Sequence, residues 1–101
     1  MDKPVVLTAI AEQDLEHISN YLLDNWGMIV CDNFLSRFEQ LCATISSAPG
    51  MFPVIYKKKK IRKCILTRQN TMYYREHADK IEIITIFDTR QDPNKLESFI
   101  L

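Results

Sequence analysis

Lys57-Lys58-Lys59-Lys60-Ile61-Arg62-Lys63-Cys64-Ile65-Leu66, then Thr71-Met72-Tyr73-Tyr74-Arg75, then Ile81-Glu82-Ile83-Ile84-Thr85-Ile86-Phe87, are the runs whose reading decides the fold. β-Branched and aromatic residues fill them, and polar residues punctuate them at Gln69-Asn70 and Ala78-Asp79. Such spacing predicts three short antiparallel strands joined by tight turns. The third run is apolar at both odd and even positions. A strand of that kind sits inside a sheet and is covered on both faces.

Outward from this sheet, the chain supplies the cover. Val5-Val6-Leu7 is short and β-branched and reads as a first strand. Thr8 follows as a helix N-cap, since its hydroxyl can accept from a free backbone N–H. Ala11, Leu15, Ile18 and Leu22 then recur at helical spacing. Asn25-Trp26-Gly27 ends that helix, with Gly27 expected in the left-handed C′ conformation. A second helix is expected from about Met28 to Ser46, with Cys31, Phe34, Phe38, Leu41, Cys42 and Ile45 as its apolar stripe. The short Trp26-Gly27 connection favours an antiparallel helical hairpin. Met51 to Tyr56 reads as a loop along the sheet margin. Asp92 can cap, and Pro93 can open, a terminal helix from Asn94 to Leu101. The expected fold is therefore α+β: a strand, a helical hairpin, a three-stranded antiparallel sheet and a short C-terminal helix, in one domain over residues 1–101.

Composition is that of an ordinary globular protein, and 101 residues suffice for a single core. No apolar run approaches the roughly 20 residues of a membrane span. The N-terminus does not read as a signal peptide, so the expected location is cytoplasmic. Three cysteines, Cys31, Cys42 and Cys64, argue against a disulfide framework. Cys31 and Cys42 on one helix would lie about 16 Å apart, beyond the ~7 Å Cα separation a disulfide tolerates. Their spacing lacks a zinc pattern, and no metal or cofactor site is visible. The zero net charge conceals a segregation. Residues 1–39 hold seven acids and two bases, residues 40–75 hold eight bases and no acid, and residues 76–101 hold six acids and three bases. The basic block suggests an anionic partner for the sheet, or a lysine-decorated edge strand that blocks aggregation.

Taken in order, these elements resemble the RelE/ParE superfamily of bacterial toxin–antitoxin toxins, also called plasmid stabilisation proteins. The resemblance rests on Ala11-x-x-Asp14-Leu15-x-x-Ile18-x-x-Tyr21, on Phe34, Leu41 and Pro49, and on Met72-Tyr73-Tyr74-Arg75. It rests above all on Ile83-Ile84-Thr85-Ile86-Phe87-Asp88-Thr89-Arg90-Gln91-Asp92-Pro93. It implies a growth-arresting protein silenced by a cognate antitoxin whose C-terminal tail wraps it. RelE-like members cut messenger RNA in the ribosomal A site. ParE-like members poison DNA gyrase and are not enzymes.

Cleavage of RNA needs an acid, a base and positive charge on the scissile phosphate. Arg62 matches the first basic position of the RelE branch. Cys64 stands where a second Lys is expected, with Lys63 one residue away on the other face. Thr71 and Gln91 stand where two Arg are expected, with Arg90 beside the latter. The terminal helix offers Phe99 in place of a Tyr. A rearranged nuclease site would draw on Arg62, Arg68, His77 and Arg90. The expected function is instead a ParE-like toxin that binds its target, with gyrase as the candidate. The alternatives are a ribosome-dependent ribonuclease and a non-toxic member that binds only its antitoxin. The residues expected at the antitoxin or target interface are Trp26, Lys60, Arg62, Tyr73, Arg75 and Arg90. Trp26 reads either as a staple of the hairpin tip or as an exposed anchor. Of Tyr73 and Tyr74, which alternate in direction, one should be core and the other open to a partner. The docking groove is expected on the sheet face that the hairpin leaves uncovered, flanked by Arg62, Arg75 and Arg90.

Overall fold

Strand β1 (Val5–Leu7) leads into the helices α1 (Ala9–Trp26) and α2 (Met28–Ser47). Four strands follow, β2 (Val54–Tyr56), β3 (Ile61–Thr67), β4 (Asn70–Glu76) and β5 (Ile81–Asp88), and the chain closes with α3 (Pro93–Ile100). The computed structural model describes residues 2–100; Met1, and Leu101 at the expected end of the last helix, lie outside the described residues.

The strands form one sheet in the order β1-β5-β4-β3-β2. β1 pairs with β5 in parallel, and the other pairs are antiparallel. The sheet is thus larger than the sequence suggests. Residues 54–56, expected as loop, pair with β3 and form an edge strand. The β3–β4 turn lies at Arg68-Gln69, one residue earlier than expected, because Thr67 pairs with Asn70. β5 is interior as expected, while β4 occupies the centre.

β5 buries both faces by means of a bulge. The register slips so that Tyr73 faces Thr85 while Tyr74 faces Ile83, leaving Ile84 as the extra residue. An extra residue reverses the alternation of the side chains that follow it. Ile81, Ile83 and Ile86 consequently join the core beneath the hairpin, with Phe34, Phe38, Leu41, Ile45, Met72 and Tyr74. Ile84 and Phe87 turn to the opposite side and pack with Ile61, Tyr73 and Ile100, flanked by Leu96 and Phe99 of α3. The face expected to be open is therefore covered by α3.

Two helix ends are set locally. The Thr8 hydroxyl accepts from Ala11 N–H at 3.1 Å, and the Asp92 carboxylate accepts from Asn94 N–H at 2.9 Å. Gly27 serves as C-cap of α1 and N-cap of α2 at φ 89°, ψ 175°. Its φ is positive, as expected of a helix-ending glycine, but its ψ is extended rather than left-handed helical. That region is open essentially to glycine alone. A Cβ at this position would meet nothing within 4 Å, so the cost of adding one is purely conformational. Gly27→Ala is expected to lower stability by about 2 kcal/mol, read as a shift of the urea midpoint at unchanged slope.

The lysine run forms the β2–β3 turn, closed by Lys60 N–H to Lys57 C=O at 3.3 Å. Lys60 carries a φ of 54°, a left-handed conformation that disfavours any residue with a Cβ. Lys60→Gly is therefore expected to raise stability by about 0.5–1 kcal/mol, again in chemical denaturation.

Candidate functional site

The first helix, α1, does more than cover the sheet. β1 ends at Leu7, and beyond it the edge of β5 would be bare. Thr8 takes over, donating its hydroxyl to Ile84 C=O at 2.6 Å and its N–H to Ile83 C=O at 3.0 Å. Asp14 takes the next position. Its Oδ2 accepts from Thr85 Oγ1 at 2.6 Å and from Ile86 N–H at 3.0 Å. A carboxylate one helical turn into α1 thus replaces the missing strand.

Alongside that contact runs a groove of about 610 Å³. One wall is a second stripe of α1, Ile10, Gln13, His17 and Tyr21. The floor is the end of β5, and the far wall is Arg90, Lys95 and Phe99. His17 also lines this groove. The signal was present in the sequence: Ile10, Asp14, His17 and Tyr21 repeat at helical spacing beside the core stripe.

The basic residues sort into two groups at opposite ends of the sheet. Arg62, Arg75 and His77 lie at one end, where Ile61 pairs with Arg75 and Glu76 with Ile81. Arg68 and Arg90 lie at the other, where Thr89 N–H reaches Gln69 C=O at 2.8 Å. Six residues of strand separate Arg62 from Arg68, a span of about 20 Å. No single scissile phosphate reaches both groups.

Nearly all of these side chains also hold the fold. Arg62 Nη1 donates to Phe52 C=O at 2.6 Å and to Gly50 C=O at 3.4 Å, clamping the loop between α2 and β2. Glu82 serves both Arg75, at 3.6 Å, and His77, at 3.2 Å. Arg75 Nε is buried without a hydrogen-bond partner. Arg90 forks onto Asp88, with Nε to Oδ1 at 3.0 Å and Nη2 to Oδ2 at 2.7 Å. Those hydrogen bonds hold the Asp88 carboxyl below the usual range and push Arg90 up. Arg68 is exposed in the β3–β4 turn. Because Arg62 holds its loop through a charge-assisted bond, Arg62→Ala is expected to cost about 2 kcal/mol. Thermal melts check this, and the folded fraction should keep its activity.

The remaining expected interface residues scatter. Tyr73 is 7% exposed and lies under α3, so neither tyrosine of the pair is open to a partner. Lys60 sits at the β2–β3 turn, beside a small pocket shared with Lys3, Arg62 and His77. Trp26 is 66% exposed at the hairpin tip. Only Arg90 of the expected interface residues lines the large groove. No helix among the described residues is long and apolar enough to cross a membrane.

Comparison with known proteins gives a consistent placement. No curated protein sequence matches the chain. Among solved structures, a chain from the chromosomal ParDE toxin–antitoxin system of P. aeruginosa superposes with a TM-score of 0.71 at 16% identity. The match covers 85% of this chain and 95% of that one, so the two share a fold. Residues 5–93 match the family described as the ParE toxin of the type II toxin–antitoxin system parDE. The β5 run, the turn after it and Asp14 all fall within the matched residues, and the chain belongs to the ParE toxin family of type II toxin–antitoxin systems.

Proposed function

We propose that this toxin arrests growth by binding a protein target, with DNA gyrase as the target, and that it does so without cutting RNA. The observation that supports this reading is the separation of its basic residues into two groups about 20 Å apart. General acid–base catalysis requires its groups within hydrogen-bond reach of one reacting centre. Most of these groups are also committed to carbonyls or carboxylates of the fold.

Silencing by a cognate antitoxin is the second half of the proposal. The groove between α1 and α3 is concave, with apolar walls at Ile10, Ile18, Leu22 and Phe99. A peptide segment with periodic apolar anchors fits such a groove. We assign it to the antitoxin tail. Charged Arg90 and Lys95 at its rim would favour acidic residues in that tail.

Pulse labelling after induction tests the target class. Thymidine incorporation is expected to fall before amino-acid incorporation does. If protein synthesis stops first while DNA synthesis continues, the binding mechanism is wrong and the ribonuclease reading takes its place.

A further inference from the structure

The largest anomaly of the surface is neither a pocket nor a charge. Leu23, Trp26, Met28, Ile29 and Val30 stand exposed around Gly27, with Trp26 at 66%, Met28 at 67% and Ile29 at 78%. They come from the last turn of α1 and the first turn of α2, so the hairpin brings them together at its tip. Such a cluster offers on the order of 500 Å² of apolar surface, against about 800 Å² per partner in a standard interface. Leaving it in water opposes the hydrophobic effect.

We infer that the hairpin tip is the surface with which this toxin engages its target, and that it inserts into an apolar cleft rimmed by basic side chains on a folded partner. This rests on the proposed binding mechanism and adds the surface and the chemistry of the partner. Three observations point to it. The tip is convex, whereas the groove is concave. A flexible tail suits the groove, and a cleft on a folded protein suits the tip. The charges carried by the tip itself are of one sign: from Leu23 to Asp32 the chain holds Asp24 and Asp32, both exposed, and no base, the nearest bases being Arg90 and Lys95 of the groove beyond Tyr21. A second copy docked tip to tip would bring four carboxylates together about the two-fold axis, a costly arrangement. A basic rim meets the same carboxylates favourably.

The geometry also offers a route to silencing. Tyr21 and Leu22 line the groove, and Leu23 begins the tip. A tail seated in the groove ends beside the target surface and obstructs it.

The test uses the full chain carrying Trp26→Ala together with Ile29→Ser, and separately Asp24→Lys together with Asp32→Lys. Both pairs are exposed, and melting curves with circular dichroism verify the fold. Growth arrest and thymidine incorporation are measured on induction, and capture of the purified cognate antitoxin is measured in parallel. The apolar pair is expected to weaken arrest by at least ~30-fold while antitoxin capture stays intact. The charge-reversed pair is expected to weaken arrest as well. The inference is overturned if the folded apolar variant remains fully toxic. Loss of antitoxin capture with toxicity retained would assign the tip to the antitoxin instead. Sedimentation showing a wild-type dimer that the apolar substitutions dissociate would assign it to a second copy. Undiminished arrest by the charge-reversed variant would overturn the basic rim. If the wild-type chain fails to arrest DNA synthesis, the proposed function fails first, and that outcome is distinct from a toxic wild type with toxic variants.

Discussion

Replacing Asp14 with alanine is expected to destabilise the chain by about 3 kcal/mol, although the residue lies on a helix face beside an open groove. The reason is what it leaves behind. Thr85 is fully buried and Ile86 is 2% exposed, and both donate to Asp14 Oδ2. Without the carboxylate, a hydroxyl and a strand N–H face a methyl group. Each buried unpaired donor costs roughly 1–3 kcal/mol. For a domain of this size the loss corresponds to a drop of about 15 °C in Tm. Asp14→Asn retains an acceptor but not the charge, and is expected to cost about 1 kcal/mol. A loss below that in the alanine variant would mean that water enters from the groove and satisfies both donors. Differential scanning calorimetry of the two variants separates these outcomes.

This interaction also marks the boundary of what the sequence discloses. The hairpin was legible because Phe34, Phe38, Leu41 and Ile45 repeat at a spacing that only a helix brings to one side. The two-sided burial of β5 was legible because its run is apolar without alternation. Its bulge was not, since the slip at Ile84 depends on how β4 lies against it. β2 is not legible in the sequence for a related reason. Three residues between Pro53 and Lys57 carry too little pattern, and the strand forms only on the template of β3.

The charged residues show the same divide more sharply. Strand position could be read for Arg62 and Arg75, but neither their partners nor that of His77 could. Arg62 answers to carbonyls at Gly50 and Phe52, and Arg75 and His77 converge on Glu82 across a turn. The groove is harder still, because its walls come from α1, β5 and α3, which meet only after the sheet has closed. The exposed tip was the opposite case. The sequence places Trp26 beside a chain-reversing glycine, but whether it packs inward depends on the path of Gly27.

The largest effect is expected at Tyr74. Its side chain is fully buried, its hydroxyl donates to Pro49 C=O at 2.7 Å, and Phe52 meets its ring edge-on at 6.4 Å. It ties the centre of the sheet to the loop that leaves α2, from the face opposite α3. Tyr74→Ala removes the ring and leaves a cavity, at a cost of about 4 kcal/mol, a large share of the 5–15 kcal/mol that holds a typical domain together. Tyr74→Phe keeps the ring and loses only the hydrogen bond, at about 1 kcal/mol. The hydroxyl carries a second signature. Burial pushes the Tyr74 pKa up to about 12 from its ordinary value of 10. The folded state therefore binds the proton more tightly than the unfolded state does. That contribution is complete below pH 10 and is lost as the pH rises towards 12. Burial also raises Tyr73, Cys42 and Cys64, so the whole protein weakens in alkali, but those groups are common to both chains. The urea midpoint of the wild type is expected to fall more steeply than that of Tyr74→Phe between pH 10 and pH 12. Parallel slopes would mean that the phenol reaches solvent as the sheet breathes, and that Pro49 is held by the ring alone.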